Sequence, residues 1–211
     1  MPLSTNALTN LTTVYAELGL DSPTAAETAL LTRYINFASD VFQTLIDRKL
    51  PKATYEAEKL TTSYQTKAYL KQYPILSVSS FTIDDTDYDY EIVSVGEEGS
   101  FLYNEDGFLD SSRIYGDLVR SYYGERTLNA EADYVAGYIT PKQEDESEGT
   151  RTLPYDIEEA IIQAVAIKFK EQCSDTQGMR KYQVGSRSFE FKEIFEGIYD
   201  DIIQKYKRPE Q

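Results

Sequence analysis

The chain has 211 residues, 36 acidic and 21 basic, and a net charge of −15. It contains no histidine and a single cysteine, Cys173, which excludes an intrachain disulfide, histidine-activated nucleophiles and the commonest zinc ligand sets. This length supports a sizeable core and fits one domain, or one domain carrying an insertion. With no apolar run near 18 residues and no charged-then-apolar leader, neither a membrane span nor a secretory signal is expected, and the protein reads as cytosolic when made.

At the N-terminus, Leu8, Leu11, Tyr15 and Leu18 recur at helical spacing, and Gly19 is placed to stop that helix. Ser22 and Pro23 read as the N-cap and first residue of a long second helix. Its stripe is Leu30, Tyr34, Phe37, Val41, Phe42 and Leu45, and Leu50-Pro51 ends it. From about Thr54 to Tyr138 the apolar period falls towards two, with Tyr, Thr, Ile and Val enriched around 64–70, 75–83, 88–95 and 100–103. Gly96 to Gly99 and Asn104 to Gly107 supply turn chemistry, the Asp106-Gly107 step being a hairpin signal. The stretch 110–128 carries mixed signals and receives no assignment.

Ala130, Ala132, Tyr134 and Ala136 then alternate with Glu131, Asp133 and Val135, the pattern of a half-buried strand that Gly137 and Pro141 bring to an end. The acidic run Lys142 to Thr150 reads as a loop. Pro154 suits a first helical turn, where its missing N–H has no intrahelical partner, and Asp156, Glu158 and Glu159 suit the positive end of the dipole. That helix, 154 to about 172, carries Ile157, Ile161, Ala164, Val165 and Phe169 on one face. A polar stretch with Gly178, Gly185, Arg180, Lys181 and Arg187 follows. It reads as a solvated loop or as a basic contact for the acidic insertion of a neighbouring subunit. The last helix, about 191–207, presents Phe195, Ile198, Tyr199, Ile202, Ile203 and Tyr206 as one stripe, suited either to its own core or to a partner's groove.

These elements predict a mainly α protein: a helical bundle with a β-rich hairpin insertion and an amphipathic C-terminal helix. Residues 1–53 supply N-terminal helices, 54–138 the β-rich acidic insertion and 139–211 C-terminal helices, together one domain. The charge is uneven. Residues 84–148 hold 18 acidic and 4 basic side chains, a net of −14, leaving −1 for all the rest. Such a block repels nucleic acid phosphates. Carboxylate pairs such as Asp84-Asp85 and Glu158-Glu159 are expected from abundance alone, and Asp85, Asp87 and Asp89 lack the glycine and terminal glutamate of a calcium loop. No catalytic residue, cofactor or metal is expected, and the protein reads as a non-enzyme.

Taken in order, Tyr134-Val135-Ala136-Gly137-Tyr138, a polar break, Leu153-Pro154-Tyr155-Asp156-Ile157 and an Ala-containing helix resemble the head-to-tail connector (adaptor) proteins of long-tailed bacteriophages. The segment Tyr73 to Asp84, followed by Tyr88 to Val93, is similar to that family's strand pair, so the resemblance spans roughly residues 25–210. It implies a structural virion protein at the head-tail interface, made in the host cytoplasm. It further implies a homo-oligomeric ring, expected to be twelve-fold, with the portal protein and a stopper or tail-completion protein as partners. Double-stranded DNA would pass through without specific binding, and no membrane is involved. On that reading the stripe Phe195, Ile198, Tyr199, Ile202, Ile203 and Tyr206 docks on the portal. Arg180, Lys181 and Arg187 meet the next subunit, and Glu144, Asp145, Glu146 and Glu148 line the channel. Two other classes remain open: an acidic DNA-mimic inhibitor of a nucleic-acid-binding protein, and a carboxylate-based hydrolase.

Overall fold

The computed structural model describes residues 2–62, 66–83, 86–87, 89–94, 100–105, 128–146, 149–175 and 187–207. The chain forms two compact units, one made of residues 1–51 and 138–211 and the other of residues 52–137. The expected assignments at Gly96 to Gly99 and at Asp106-Gly107, and the unassigned stretch from 110 onwards, fall almost wholly outside the described residues.

The first unit is helical. Its elements are α1 (Leu11–Leu18), α2 (Ala25–Leu45), α3 (Pro141–Asp145), α4 (Tyr155–Asp175), α5 (Arg187–Ile198) and α6 (Asp200–Tyr206). Gly19 ends α1 in the left-handed region at φ 65°, which glycine enters without a Cβ penalty. The N-cap of α2 is Thr24 rather than Ser22. Its hydroxyl accepts from the Glu27 backbone N–H while Glu27 reaches back to the Thr24 N–H, a reciprocal box that satisfies two donors where Ser22 would satisfy one. The helix also stops at Leu45, short of Leu50-Pro51, with Ile46 as its C-cap.

The core of this unit gathers Leu31, Ile35, Phe42 and Ile46 from α2 with Ile157, Ile161, Val165 and Phe169 from α4 and Phe191, Phe195, Ile203 and Tyr206 from the last two helices. Edge-to-face ring pairs, Phe42 with Phe195 at 5.4 Å and Phe37 with Phe191 at 5.6 Å, lock α2 to α5. Two buried polar side chains of α2 are satisfied by the chain that flanks it. Ser39 Oγ accepts from Leu8 N at 3.1 Å. Gln43 donates to the Asn6 carbonyl and accepts from Leu50 N, both at 3.1 Å. Such pairing removes the desolvation cost of burying them.

The acidic run after residue 141 is partly helical rather than a loop. Thr140 and Gln143 form a capping box around Pro141 at the first turn of α3, a Thr-Pro-x-Gln signature that the charge of the run overshadowed. The final stripe is likewise not one helix. It breaks at Tyr199 (φ −119°, ψ 23°) into α5 and α6.

The second unit consists of β1 (Ala53–Thr62), β2 (Lys67–Tyr69), β3 (Ile75–Ile83), β4 (Thr86–Asp87), β5 (Glu91–Ser94), β6 (Ser100–Tyr103) and β7 (Leu128–Ala136). They form a four-stranded antiparallel sheet in the order β1-β7-β3-β4 and a three-stranded antiparallel sheet in the order β2-β6-β5. In β7 the alternation seen in the sequence is realised: Ala130, Ala132, Tyr134 and Ala136 are fully buried, and Glu131 is exposed. Their core is completed by Phe81 and Ile83 from the same sheet and by Ala68 and Leu102 from the other.

This second core corrects the expectation of a mainly α protein. With 45% helix and 25% strand among the described residues, the fold is mixed α/β. The β-rich segment buries its own apolar set and is more than a hairpin carried by a bundle. The expected strand pair is also re-partnered, because β3 pairs with β7 and with the two residues of β4, whereas β5 pairs with β6.

Candidate functional site

A polar cluster lies at the first turn of α4, where two carboxylates bind side chains from both the N-terminal and the C-terminal segments of the helical unit. The pattern that starts this helix, acidic residues just after Pro154, is also what places both carboxylates there. Asp156 accepts the Tyr206 hydroxyl at 2.9 and 3.1 Å, Lys205 Nζ at 3.0 Å and the Ile157 N–H at 2.9 Å. Two residues on, in the same turn, Glu158 is buried. It accepts Thr9 Oγ1 at 3.0 Å and forms an ion pair with Arg151. The Arg151 guanidinium also lies 4.0 Å from the Tyr155 ring centroid, and its Nε donates to the Leu153 carbonyl at 3.2 Å.

Burial pushes the Asp156 carboxyl up, but the hydrogen bonds from Lys205 and Tyr206, with the charge of Lys205, outweigh it and hold the group below the ordinary aspartate value. Burial, reinforced by Asp156, pushes the Tyr206 phenol well up, so it remains a donor. A depressed folded pKa contributes stability that is present above the unfolded value, near 3.9, and is lost as pH falls through the folded value. Melting curves taken between about pH 7 and pH 3 are therefore expected to show a shallower acid limb in Asp156→Asn than in the parent protein. Parallel acid limbs would show that this carboxyl is not held low.

The second unit has polar pins of the same kind. Ala57, at φ 48° on a bulge of β1, donates its N–H to Asp133 Oδ1 at 2.7 Å, and Ser80 Oγ donates to Asp133 Oδ2 at 2.7 Å. The Tyr134 hydroxyl donates to Glu58 at 2.9 Å, and burial pushes this phenol strongly up. These groups anchor strands to one another. Among the described residues no group of three or more His, Cys, Asp or Glu side chains could hold a metal ion.

The residues singled out from sequence are scattered. Phe195, Ile203 and Tyr206 are buried in the helical core, Tyr199 and Ile202 are half-buried against it, and Ile198 is 61% exposed. Glu144 and Asp145 are exposed on α3, and Glu146, also exposed, is its C-cap. Asp145 accepts from Asn10 at 2.8 Å and Glu146 binds Lys142 at 2.8 Å. Arg187 opens α5, while Arg180, Lys181 and Glu148 fall outside the described residues. Sequence reasoning missed Thr9, Arg151 and Lys205 as partners of the α4 carboxylates. Thr9 and Lys205 lie 149 and 49 residues from the carboxylates they bind, too far for a local signal, while Arg151 is close in sequence but outside the helical spacing that pairs residues on one face.

No protein-family model and no curated protein matches the chain. Solved structures do. One chain of the neck of an empty gene transfer agent particle, computed with C6 symmetry, superposes with a TM-score of 0.53 at 15% identity, over 100% of this chain and 94% of that one. The chain shares its fold with this neck protein. A chain of the virion of a native gene transfer agent particle gives a TM-score of 0.54 at 14% identity, again over 100% and 94% of the two chains. The likeness therefore runs through both units and is not confined to one of them.

Proposed function

We propose that the protein is a structural subunit of the neck of a phage-like particle, specifically a head-to-tail connector that forms a ring under the portal. The observation that carries this reading is the end-to-end fold likeness to a chain from a neck, covering both units. In this role the ring, expected to be twelve-fold, extends the DNA channel and offers a platform for the stopper or tail-completion protein.

The acidic charge fits a conduit. Double-stranded DNA carries about one negative charge per 1.7 Å of axis, so a basic wall would hold it at many phosphates and a carboxylate wall would not. Glu144, Asp145, Glu146 and Glu148 are proposed to face the lumen. For the portal contact, exposed Ile198 with the outer edges of Tyr199 and Ile202 provides the docking face, while Phe195, Ile203 and Tyr206 hold the helices beneath it. Arg180, Lys181 and Arg187 are proposed to bind the adjacent copy.

Electron micrographs of the purified protein mixed with its portal test this reading. Closed rings seated on the portal are the expected result. Failure to bind the portal, together with absence of the protein from purified particles, would overturn it.

A further inference from the structure

Where α5 meets α6, the helical unit turns an apolar corner outward. Ile198, the last residue of α5, is 61% exposed. Among the described residues nothing lies within 4 Å of a Cβ built on the neighbouring Gly197, so the backbone of a partner can approach closely. Tyr199, where the stripe breaks, is half-buried beside Ile198, and its ring rests 6.3 Å from that of Phe195. The core thus holds an amphipathic ring in place at the surface.

Carboxylates from two elements surround this corner. Glu196, Asp200 and Asp201, the chain neighbours of Ile198, are exposed. Burial pushes the Tyr199 phenol up and the Glu159 carboxylate of α4 pushes it further, which puts Glu159 within electrostatic reach of the ring. Gln163 donates to Glu159 at 2.9 Å and to Glu17 of α1 at 3.0 Å, so the acidic strip continues beyond the corner. Asp200 and Asp201 complement the dipole of α6. That role explains neither Glu159 nor the exposure of Ile198. Lys205, at the far end of α6, is held by Asp156 at 3.0 Å, and Asp200 accepts only a neutral amide, from Gln204 at 3.2 Å.

Nucleic acid phosphates and a second copy of a chain with net charge −15 are both disfavoured at such a strip. A basic segment with an apolar side chain of its own is favoured, because opposite charge on the rim steers it and a dry central contact retains it. We infer that the corner between α5 and α6, Ile198 and Tyr199 within a collar of Glu159, Asp200 and Asp201, receives a basic segment of the portal protein that sets an apolar side chain on Ile198. The inference rests on the connector reading and adds the chemistry of the partner.

The test measures sedimentation of the full chain with purified portal at about 0.05 and 0.5 M salt. Binding of the parent protein is expected to weaken about tenfold between the two. Glu159→Gln, Asp200→Asn and Asp201→Asn, introduced together, are expected to weaken binding about tenfold at the lower salt and to flatten its salt dependence. Ile198→Arg is expected to weaken it about thirtyfold or more at both. Melting curves monitor the fold of each variant, and the salt dependence of the parent, which needs no substitution, stands even if the triple change loosens α6. Parent binding indifferent to salt, or portal binding unchanged by Ile198→Arg, would overturn this contact and leave the connector reading standing. Ile198→Arg that still binds the portal but no longer closes rings would show a second copy at the corner, and would also overturn it. A parent protein that binds no portal at either salt would overturn the connector reading itself.

Discussion

Replacing Phe195 with alanine is expected to lower the stability of the helical unit by about 3 to 5 kcal/mol. Its side chain is fully buried, packs edge-on to Phe42 at 5.4 Å and lies 6.3 Å from the Tyr199 ring. Deleting it removes the transfer energy of the ring and leaves a cavity between α2 and α5 that two rigid helices close only in part. Ile198, three residues on in the same stripe, is 61% exposed. Ile198→Ala is expected to cost no more than about 0.5 kcal/mol. Urea unfolding followed by circular dichroism measures both. Similar midpoints for the two variants would mean that α5 is not packed as described.

Breaking the Arg151–Glu158 pair from one side is expected to be comparably damaging, about 3 to 5 kcal/mol. The partners retain only 15% and 5% side-chain exposure. Glu158→Leu strands the guanidinium with the Tyr155 ring and the Leu153 carbonyl as its remaining partners. Arg151→Met strands a carboxylate that keeps only the Thr9 hydroxyl. The double replacement Arg151→Met with Glu158→Leu is expected to recover most of the loss, because apolar substitution of both members removes the uncompensated charge. A double-mutant cycle reads the coupling directly. Additive losses would show that the pair is more hydrated than its burial implies.

The parts of the fold that were legible in the sequence are those with a local cause. Gly19 ends α1 because only a residue without a Cβ enters the left-handed region freely, and the Ala130–Ala136 alternation marks β7 because period two is a property of the strand itself. The stripe Ile157, Ile161, Val165 and Phe169 is buried as its spacing requires. Misreadings arose where a stronger local signal competed. Ser22-Pro23 outbid Thr24-x-x-Glu27 as a cap, and the charge of 142–150 hid the Thr140–Gln143 box. What no local pattern carries is partnership. The pairing of β3 with β7 and of β5 with β6, and a second core large enough to make the fold mixed α/β, depend on contacts distant in sequence. The site behaves the same way. Asp156 and Glu158 were read as dipole-complementing residues, which they are by position, but their partners Lys205, Tyr206, Arg151 and Thr9 converge only in three dimensions.

The helical unit is cut in two along the chain, and its severed ends meet. Tyr138 donates its N–H to the Leu50 carbonyl at 2.7 Å, and Pro51 forms a parallel bridge with Tyr138. Eighty-six residues, 52 to 137, leave and return through that one gap. Because loop-closure entropy grows only with the logarithm of loop length, the helices are nearly indifferent to how much chain is spliced between Pro51 and Tyr138. With its two cut ends already held together, the helical unit can tolerate a longer or shorter insertion between them at little extra closure cost.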